Sequence, residues 1–399
     1  MEEAGILLDD TLFEAFSKEL KSDVDRLTQQ AYSLAGEEFN LNSTQQLSDV
    51  LFKKLALEPP DRSRKTSSGK YSTSADVLES MRGMHPLVDT ILEYRELSKL
   101  QSTYVDALPM QVNPKTGRVH TTFNQTGTVT GRIASQNPNL QNIPIRTELG
   151  RRVRQGFIAE PGHKLLAVDY SQIELRIVAH LAQDEAMMKA FHEAQDIHAA
   201  TAAAIEDVPL NEVTKQQRRH AKAINFGLIY GMSPFGLTRT TDLTLAEAEN
   251  FVKEYFREFP GVKKWLDNTR LQASRQGYVE TLLGRRRYFP ALAAGTNYTI
   301  RQREEREAIN APVQGTAADI IKLAMIRLPE ALSKAGLNTR MILQVHDELI
   351  FEVPEEELER ATRLVKEVME GAFTLSVPLL TEARRSEERR VGKECRSRW

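Results

Sequence analysis

The stretch Leu165-Leu-Ala-Val-Asp169-Tyr-Ser-Gln-Ile-Glu174-Leu-Arg176 decides how this chain is organised. Four apolar residues in a row, Leu165 to Val168, predict a short buried strand, and Ile173 to Leu181 predicts the start of a helix. A strand that gives way to a helix within four residues leaves Asp169 at the lip of the strand. That is a rigid position, of the kind a metal ligand needs. A second reading stands beside it, because Asp is also a favoured residue where a helix begins.

Further along, Met341–Val353 predicts two very apolar strands that meet at His346-Asp347. Gln344-Val-His-Asp347-Glu348 places polar side chains at the tip of that hairpin. Asp is an ordinary turn residue, so a turn alone explains it. If the tip lies beside the Asp169 strand, however, two carboxylates meet. Two Mg²⁺ ions about 3.5–4 Å apart could then bridge them and clamp the oxygens of a phosphoryl transfer. The surroundings are poor in His, which argues against zinc.

A third segment runs from Arg218 to Gly231. Arg218, Lys222, Phe226 and Tyr230 recur every four residues and form one stripe on a helix. Two cations followed by two rings suit a triphosphate followed by a base. Ala221, Ile224 and Leu228 supply the buried side. An amphipathic helix with a solvated basic end fits the same pattern.

The composition bounds these readings. The 399 residues suggest two or three domains, and 41% hydrophobic with 27% charged residues is ordinary for a soluble globular chain. No apolar run approaches a membrane span, and the Met-Glu-Glu start lacks the layout of a signal peptide. The single cysteine, Cys395, excludes an internal disulfide and a Cys-based zinc site. A net charge of −2, from 53 basic and 55 acidic side chains, does not by itself mark a nucleic-acid binder. Local basic clusters at 62–65, 151–154, 215–222 and 285–287 allow patches.

The pattern as a whole is mixed α and β with helices dominant. Residues 1 to about 58 predict helices, and a basic loop is expected over 59–73. One long helix is expected from Ser74 to near Lys99, then turns and short strands over 108–145. Residues 186 to about 309 predict mostly helix with a break at 227–234, and a last helix is expected over 355–371.

Taken together and in this order, the motifs resemble the signature of family A DNA polymerases. They are Asp-Tyr-Ser-Gln-Ile-Glu-Leu-Arg (169–176), Arg-x-x-x-Lys-x-x-x-Phe-Gly-x-x-Tyr-Gly (218–231) and Val-His-Asp-Glu (345–348). Thr-Gly-Arg (130–132), Asn-Leu-Gln-Asn-Ile-Pro (139–144), Gly-Arg-Arg-Arg-Tyr (284–288) and Pro-Val-Gln-Gly-Thr-Ala-Ala-Asp (312–319) match as well. The likeness covers about residues 1–380 and is greatest to the polymerase region of bacterial DNA polymerase I.

This resemblance implies an α+β, helix-dominated right-hand fold. Thumb is expected over 1–108, with its first helices missing, palm over 109–185 and 310–383, and fingers over 186–309. Asp169, Asp347 and the backbone carbonyl of Tyr170 are implied to hold two Mg²⁺ ions, for which Mn²⁺ can substitute. Glu348 is implied as an accessory acid and Lys222 as the general acid for the leaving pyrophosphate. Arg218, Lys222, His198, Phe226, Tyr230, Glu174 and Gln172 are implied around the incoming dNTP. Glu174 is the steric gate against a 2′-hydroxyl. Phe226 stands where a Tyr would accept dideoxynucleotides, so poor acceptance of these is expected. Arg132, Gln141, Asn142, Asn310, Gln314 and His346 are implied to contact primer–template DNA, and the loop at 59–73 to form the thumb tip over the duplex. A monomer in the cytoplasm, at a bacterial nucleoid or in a phage-infected cell, is expected, without a membrane partner and without an exonuclease region in these residues.

The resemblance weakens after Leu380. The family continues there with a palm strand, whereas Thr381 onward reads as a charged run without alternation. Residues 384–399 are therefore expected to be a non-native tail, and the loss of the strand to weaken folding or activity. The competing reading is a genuine basic tail that binds DNA. Two alternatives to a DNA polymerase also stand: a single-subunit RNA polymerase of related fold, against which Glu174 speaks, and a fragment that binds primer–template without extending it.

Overall fold

A computed structural model describes residues 1–61, 65–66, 68–144, 147–292 and 297–385. Residues 62–64, within the expected thumb-tip loop, and the part of the expected 384–399 tail from 386 on lie outside the described residues. The chain divides into two compact units. One is Gly5–His120 with Asn142–Ile158; the other is Met1–Ala4, Thr121–Gln141 and the described chain from Ala159 to Arg385.

The first unit is built on the helix Asp10–Ala35, which packs on the helix Pro86–Leu100. Asp9 caps the former by accepting from Leu12 N at 3.0 Å, and Gly36 ends it in the left-handed conformation with φ 68°. Ile6–Leu8 is not helical as expected but a strand, paired with Arg118–Val119 and Phe157–Ile158. The single helix expected from Ser74 to Lys99 is two, Ala75–Ser80 and Pro86–Leu100. The break has a local cause. Gly83 is left-handed with φ 79°, and proline disfavours helix in the residue before it but suits the first helical position.

The second unit carries a four-stranded antiparallel sheet. Its elements are β1 (His163–Tyr170), α1 (Ile173–Ala182), α2 (Ile197–Glu206), α3 (Lys215–Ile229), α4 (Tyr298–Lys334), β2 (Arg340–Val345), β3 (Glu348–Pro354), α5 (Leu358–Glu370) and β4 (Thr381–Arg385). The strand order is β2-β3-β1-β4. Leu166, Val168, Leu349, Phe351 and Val353 enter one core with Ile309, Val313 and Ile320 of α4 and Val365 and Met369 of α5. The intervening Leu165, Ala167 and Ile350 are buried on the opposite face, so β1 and β3 read as continuous apolar runs rather than alternating ones.

β4 corrects the reading of the C-terminal segment. Thr381–Arg385 is a strand, with Glu382 opposite Asp169 and Ala383 opposite Val168. The charged composition concealed it, because β4 is an edge strand. An edge strand is held by backbone pairing on one side, and charged side chains are a normal way to protect the other. Thr381 and Ala383 still turn inward, Thr381 with 5% exposure and Ala383 against the core. The palm strand expected to be lost is present as far as Arg385.

Candidate active site

The site is assembled where β1 ends. Tyr170 is fully buried, and its hydroxyl donates to the Met369 carbonyl at 2.7 Å. Burial pushes its phenol well above the usual range. Gln172 then adopts φ 56° to turn the chain into α1. Arg176, 5% exposed, locks this turn. It donates to the Ser171 carbonyl at 2.8 Å and the Pro378 carbonyl at 2.6 Å, and its guanidinium lies 4.5 Å from the Phe191 ring centre. Ser171 N in turn donates to the Leu380 carbonyl at 2.8 Å. The turn is therefore tied to the chain just before β4.

Val345 pairs with Glu348, which leaves His346 and Asp347 as a two-residue hairpin turn. Such tight turns need a residue at positive φ, and His346 takes it, at 57°. The tip is braced from within. Gln344 donates to the His346 carbonyl at 2.5 Å, and Gln141 donates to the Gln344 carbonyl at 3.1 Å and side-chain oxygen at 3.0 Å. Gln141, expected toward DNA, spends its amide on this bracing. Tyr170 N donates to the Asp347 carbonyl at 3.2 Å, so the two aspartates stand at neighbouring ends of β1 and of the β2–β3 hairpin. Glu348 faces Asp169 from β3 and Glu382 faces it from β4. Directly opposed residues share a sheet face, and like charges there are unfavourable without a counter-charge.

The predicted stripe lies on α3, where Arg218, Lys222 and Phe226 are half-buried while Ala221, Ile224 and Leu228 enter the core. Tyr230 is one residue past the helix end, as its cap. The helix begins with a reciprocal capping box between Thr214 and Gln217. Tyr230 donates its hydroxyl to Glu174, and Arg132 donates to the other oxygen of that carboxylate at 2.7 Å. Glu174 is 9% exposed. Burial, with the Glu174 charge beside it, drives the Tyr230 phenol far above its ordinary value, while the Arg132 charge and a hydrogen bond with Gln314 oppose this.

His198, expected at the phosphates, is 2% exposed, within hydrogen-bond distance of Asn225 Nδ2 at 3.2 Å through Nδ1, with its ring 5.6 Å from Phe226. Asn310 and Gln314 flank Pro312 in α4, and Asn310 Oδ1 is buried with no hydrogen-bond partner among the described residues. Asn142 belongs to the first unit, where its carbonyl accepts from Tyr104 at 2.5 Å.

The flanking motifs meet as well. Gly315 of α4 approaches so closely that a Cβ there would sit 2.5 Å from Thr281 Cγ2. Lys322 donates to the Gly131 carbonyl at 2.5 Å. Asp319 accepts from Arg285 at 2.9 and 2.7 Å and from Thr281 at 2.8 Å. The Thr-Gly-Arg loop that carries Arg132 is thereby docked on α4.

The sequence reading passed over Asp196 and Glu382. Asp196 was visible as the cap before Ile197, in Asp196-Ile-His198; Glu382 was hidden by the charged run. Among the described residues no three His, Cys, Asp or Glu side chains form a ready metal cage. A metal here would take its remaining ligands from backbone, water and substrate oxygens.

A family model described as "DNA polymerase family A" matches residues 10–389. The chain is 52% identical over 382 residues to "DNA polymerase I, thermostable" of Thermus filiformis, covering 96% of this chain and 45% of that protein. It is 51% identical over 384 residues to DNA polymerase I of Pseudomonas aeruginosa, covering 96% and 42%. The chain thus spans under half the length of these relatives. Among solved structures, it is similar to the POL domain of Pol1 from M. smegmatis in complex with DNA primer-template and dNTP. The TM-score is 0.89 and the identity 44%, covering 96% of this chain and 67% of that one. The fold is that of the right-hand polymerases. The chain belongs to DNA polymerase family A.

Proposed function

We propose that the chain is a DNA-templated DNA polymerase that adds dNTPs to a primer 3′-hydroxyl and releases pyrophosphate. The observation that carries this reading is the 3.2 Å bond from Tyr170 N to the Asp347 carbonyl, which joins the two carboxylate-bearing turns. The M. smegmatis relative bound to primer-template and dNTP supports DNA and dNTP as partners. Thumb over 1–108, fingers over 186–309 and palm over 109–185 and 310–383 are the corresponding assignments.

The donor set fits hard divalent cations. It is all oxygen, from the carboxylates of Asp169 and Asp347 and the carbonyl of Tyr170, with Glu348 beside them. These residues would hold two Mg²⁺ ions, or Mn²⁺ in their place, which when bound lower the pKa of the primer hydroxyl and neutralise charge on the transferring phosphate. The chain's own residues do the rest. Arg218 and Lys222 attract and orient the triphosphate, and Lys222 supplies a proton to the leaving pyrophosphate. Phe226 and Tyr230 give the base and sugar an apolar wall. Glu174, held by Tyr230 and Arg132, fills the space a 2′-hydroxyl needs, which favours dNTPs over rNTPs. His198 acts behind this wall by fixing Asn225 and Phe226. Gln172 completes the nucleotide side. Arg132, Asn310, Gln314 and His346 serve the minor groove, whose acceptors are similar for every base pair, and Gln141 braces the hairpin tip that carries His346. A cytoplasmic monomer is the corresponding proposal for the cell.

The test is primer extension with Mg²⁺, dNTPs against rNTPs, with Asp169→Ala and Asp347→Ala. Loss of several kcal/mol of charge stabilisation predicts a fall of roughly a thousandfold in each. Primer–template binding should survive. Extension that persists in either variant overturns the metal assignment; tight binding without extension by the unaltered chain indicates an inert fragment.

A further inference from the structure

Asp196 sits outside the residues named for catalysis, at the start of α2. One carboxylate oxygen, Oδ1, caps that helix, accepting from His198 N at 3.0 Å and Ala199 N at 3.2 Å. The other, Oδ2, accepts from Arg218 Nε at 2.7 Å and from its NH2 nitrogen, also at 2.7 Å. Both side chains stay about a third exposed, at 35% and 39%.

A guanidinium carries five N–H donors in a fixed plane. Asp196 occupies the edge formed by Nε and one terminal nitrogen. The outer edge, between the two terminal nitrogens, keeps its donors, and that edge matches two oxygens of a phosphate. The α2 end is rigid because its carboxylate is itself tied to backbone amides, so the plane of Arg218 is set before any anion arrives.

From this geometry we propose that Asp196 is a positioning residue for the triphosphate of the incoming nucleotide. It acts through Arg218 and does not touch substrate. The inference rests on the reading of Arg218 as a triphosphate ligand. Two opposed effects of the carboxylate make it testable. As a nearby negative charge it weakens attraction of phosphate; as an anchor it spares Arg218 the ordering that binding requires. The double use of both oxygens favours the anchor. Burial raises the Asp196 pKa, but the Arg218 hydrogen bond and the Ala199 amide outweigh this and leave it below the ordinary value.

Asp196→Asn separates the roles. Asn caps helices as well as Asp does, but its amide has one acceptor oxygen and cannot both cap α2 and receive the guanidinium. Asp196→Ser, another good cap, is the second variant. In steady-state primer extension by the full chain, each should raise the KM for dNTP roughly tenfold, the worth of a charge-assisted bond. Affinity for primer–template and the thermal midpoint should hold. Adding Arg218→Ala to Asp196→Asn should give the KM of Arg218→Ala alone, since Asp196 acts only through that side chain. A lower KM in Asp196→Asn overturns the anchor in favour of a competing anion. An unchanged KM, while Arg218→Ala raises it, overturns the inference alone, as does additivity in the double variant. An unchanged KM in Arg218→Ala removes the triphosphate reading together with the inference.

Discussion

Glu174 shows how much a single side chain carries here. Its carboxylate lies 9% exposed between Tyr230 and Arg132, each holding one oxygen. Held on both sides, it cannot swing aside at low cost, as the proposed steric gate against a ribose 2′-hydroxyl requires. Glu174→Ala removes the obstruction and leaves Tyr230 and Arg132 without their shared acceptor. Incorporation of rNTPs relative to dNTPs should rise by about tenfold or more, and dNTP turnover should fall, since the freed Arg132 and Tyr230 lose their fixed places. Single-nucleotide insertion with matched rNTP and dNTP measures it; a discrimination ratio equal to that of the unaltered chain removes the steric role. Glu174 was legible in the sequence only through the motif around it. A glutamate on the first turn of an apolar helix reads equally well as a capping charge. Arg176 closes the same motif, but its role was not legible, because clamping two carbonyls from Ser171 and Pro378 joins residues about two hundred positions apart.

At the scale of elements, α3 is the best case for reading structure from sequence. Its stripe of Arg218, Lys222, Phe226 and Tyr230 and its buried face came directly from a four-residue spacing, because helix geometry maps sequence interval to direction. Its start is equally local. Thr214 accepts from Gln217 N while Gln217 reaches back to Thr214 N at 2.9 Å, and Arg218 N donates to the Thr214 carbonyl at 3.0 Å. Thr214→Ala should cost about 1 kcal/mol. It should lower the urea midpoint without altering the m-value. A midpoint equal to that of the unaltered chain means that packing alone defines this helix end. β4 is the opposite case. Nothing in Thr-Glu-Ala-Arg-Arg announces a strand, since its existence depends on the ladder that β1 offers, with Glu382 set against Asp169. Edge strands take their identity from a neighbour, so local pattern misses them. The helix expected from Ser74 to Lys99 failed for a related reason: periodicity ran through Gly83 and Pro86, whose backbone restrictions outrank it.

The two compact units share one titration behaviour, which sets how the whole chain responds to alkali. Tyr170, Tyr230 and Tyr255 in one unit and Tyr104 in the other all have phenols raised above the ordinary value of 10.0, first by burial. A raised folded pKa means the native state keeps a proton that the unfolded chain releases once pH passes 10. The stabilising share of each tyrosine is therefore complete below pH 10 and lost as pH climbs toward the folded value. For Tyr170, Tyr230 and Tyr255 the loss is about 1.4 kcal/mol per pH unit over that window. Lys322 has the opposite sign. Burial, with the nearby Arg285 charge, lowers its pKa from 10.5, so the native state favours the neutral amine and gains stability as pH rises. Three strongly buried tyrosines outweigh one lysine that is half-exposed. Urea midpoints measured between pH 8 and pH 11 should therefore be level up to about pH 10 and fall beyond it. Of the ten tyrosines, the phenolate absorbance of these buried ones should appear together with unfolding rather than before it. For the active site the consequence is direct. Tyr170 anchors the turn after Asp169, and Tyr230 holds Glu174, so both keep their protons across the whole range in which the fold survives. Alkaline loss of primer extension that arises through these two tyrosines should then track unfolding. An activity loss well below the unfolding transition would point instead to a proton-transfer group other than these two phenols.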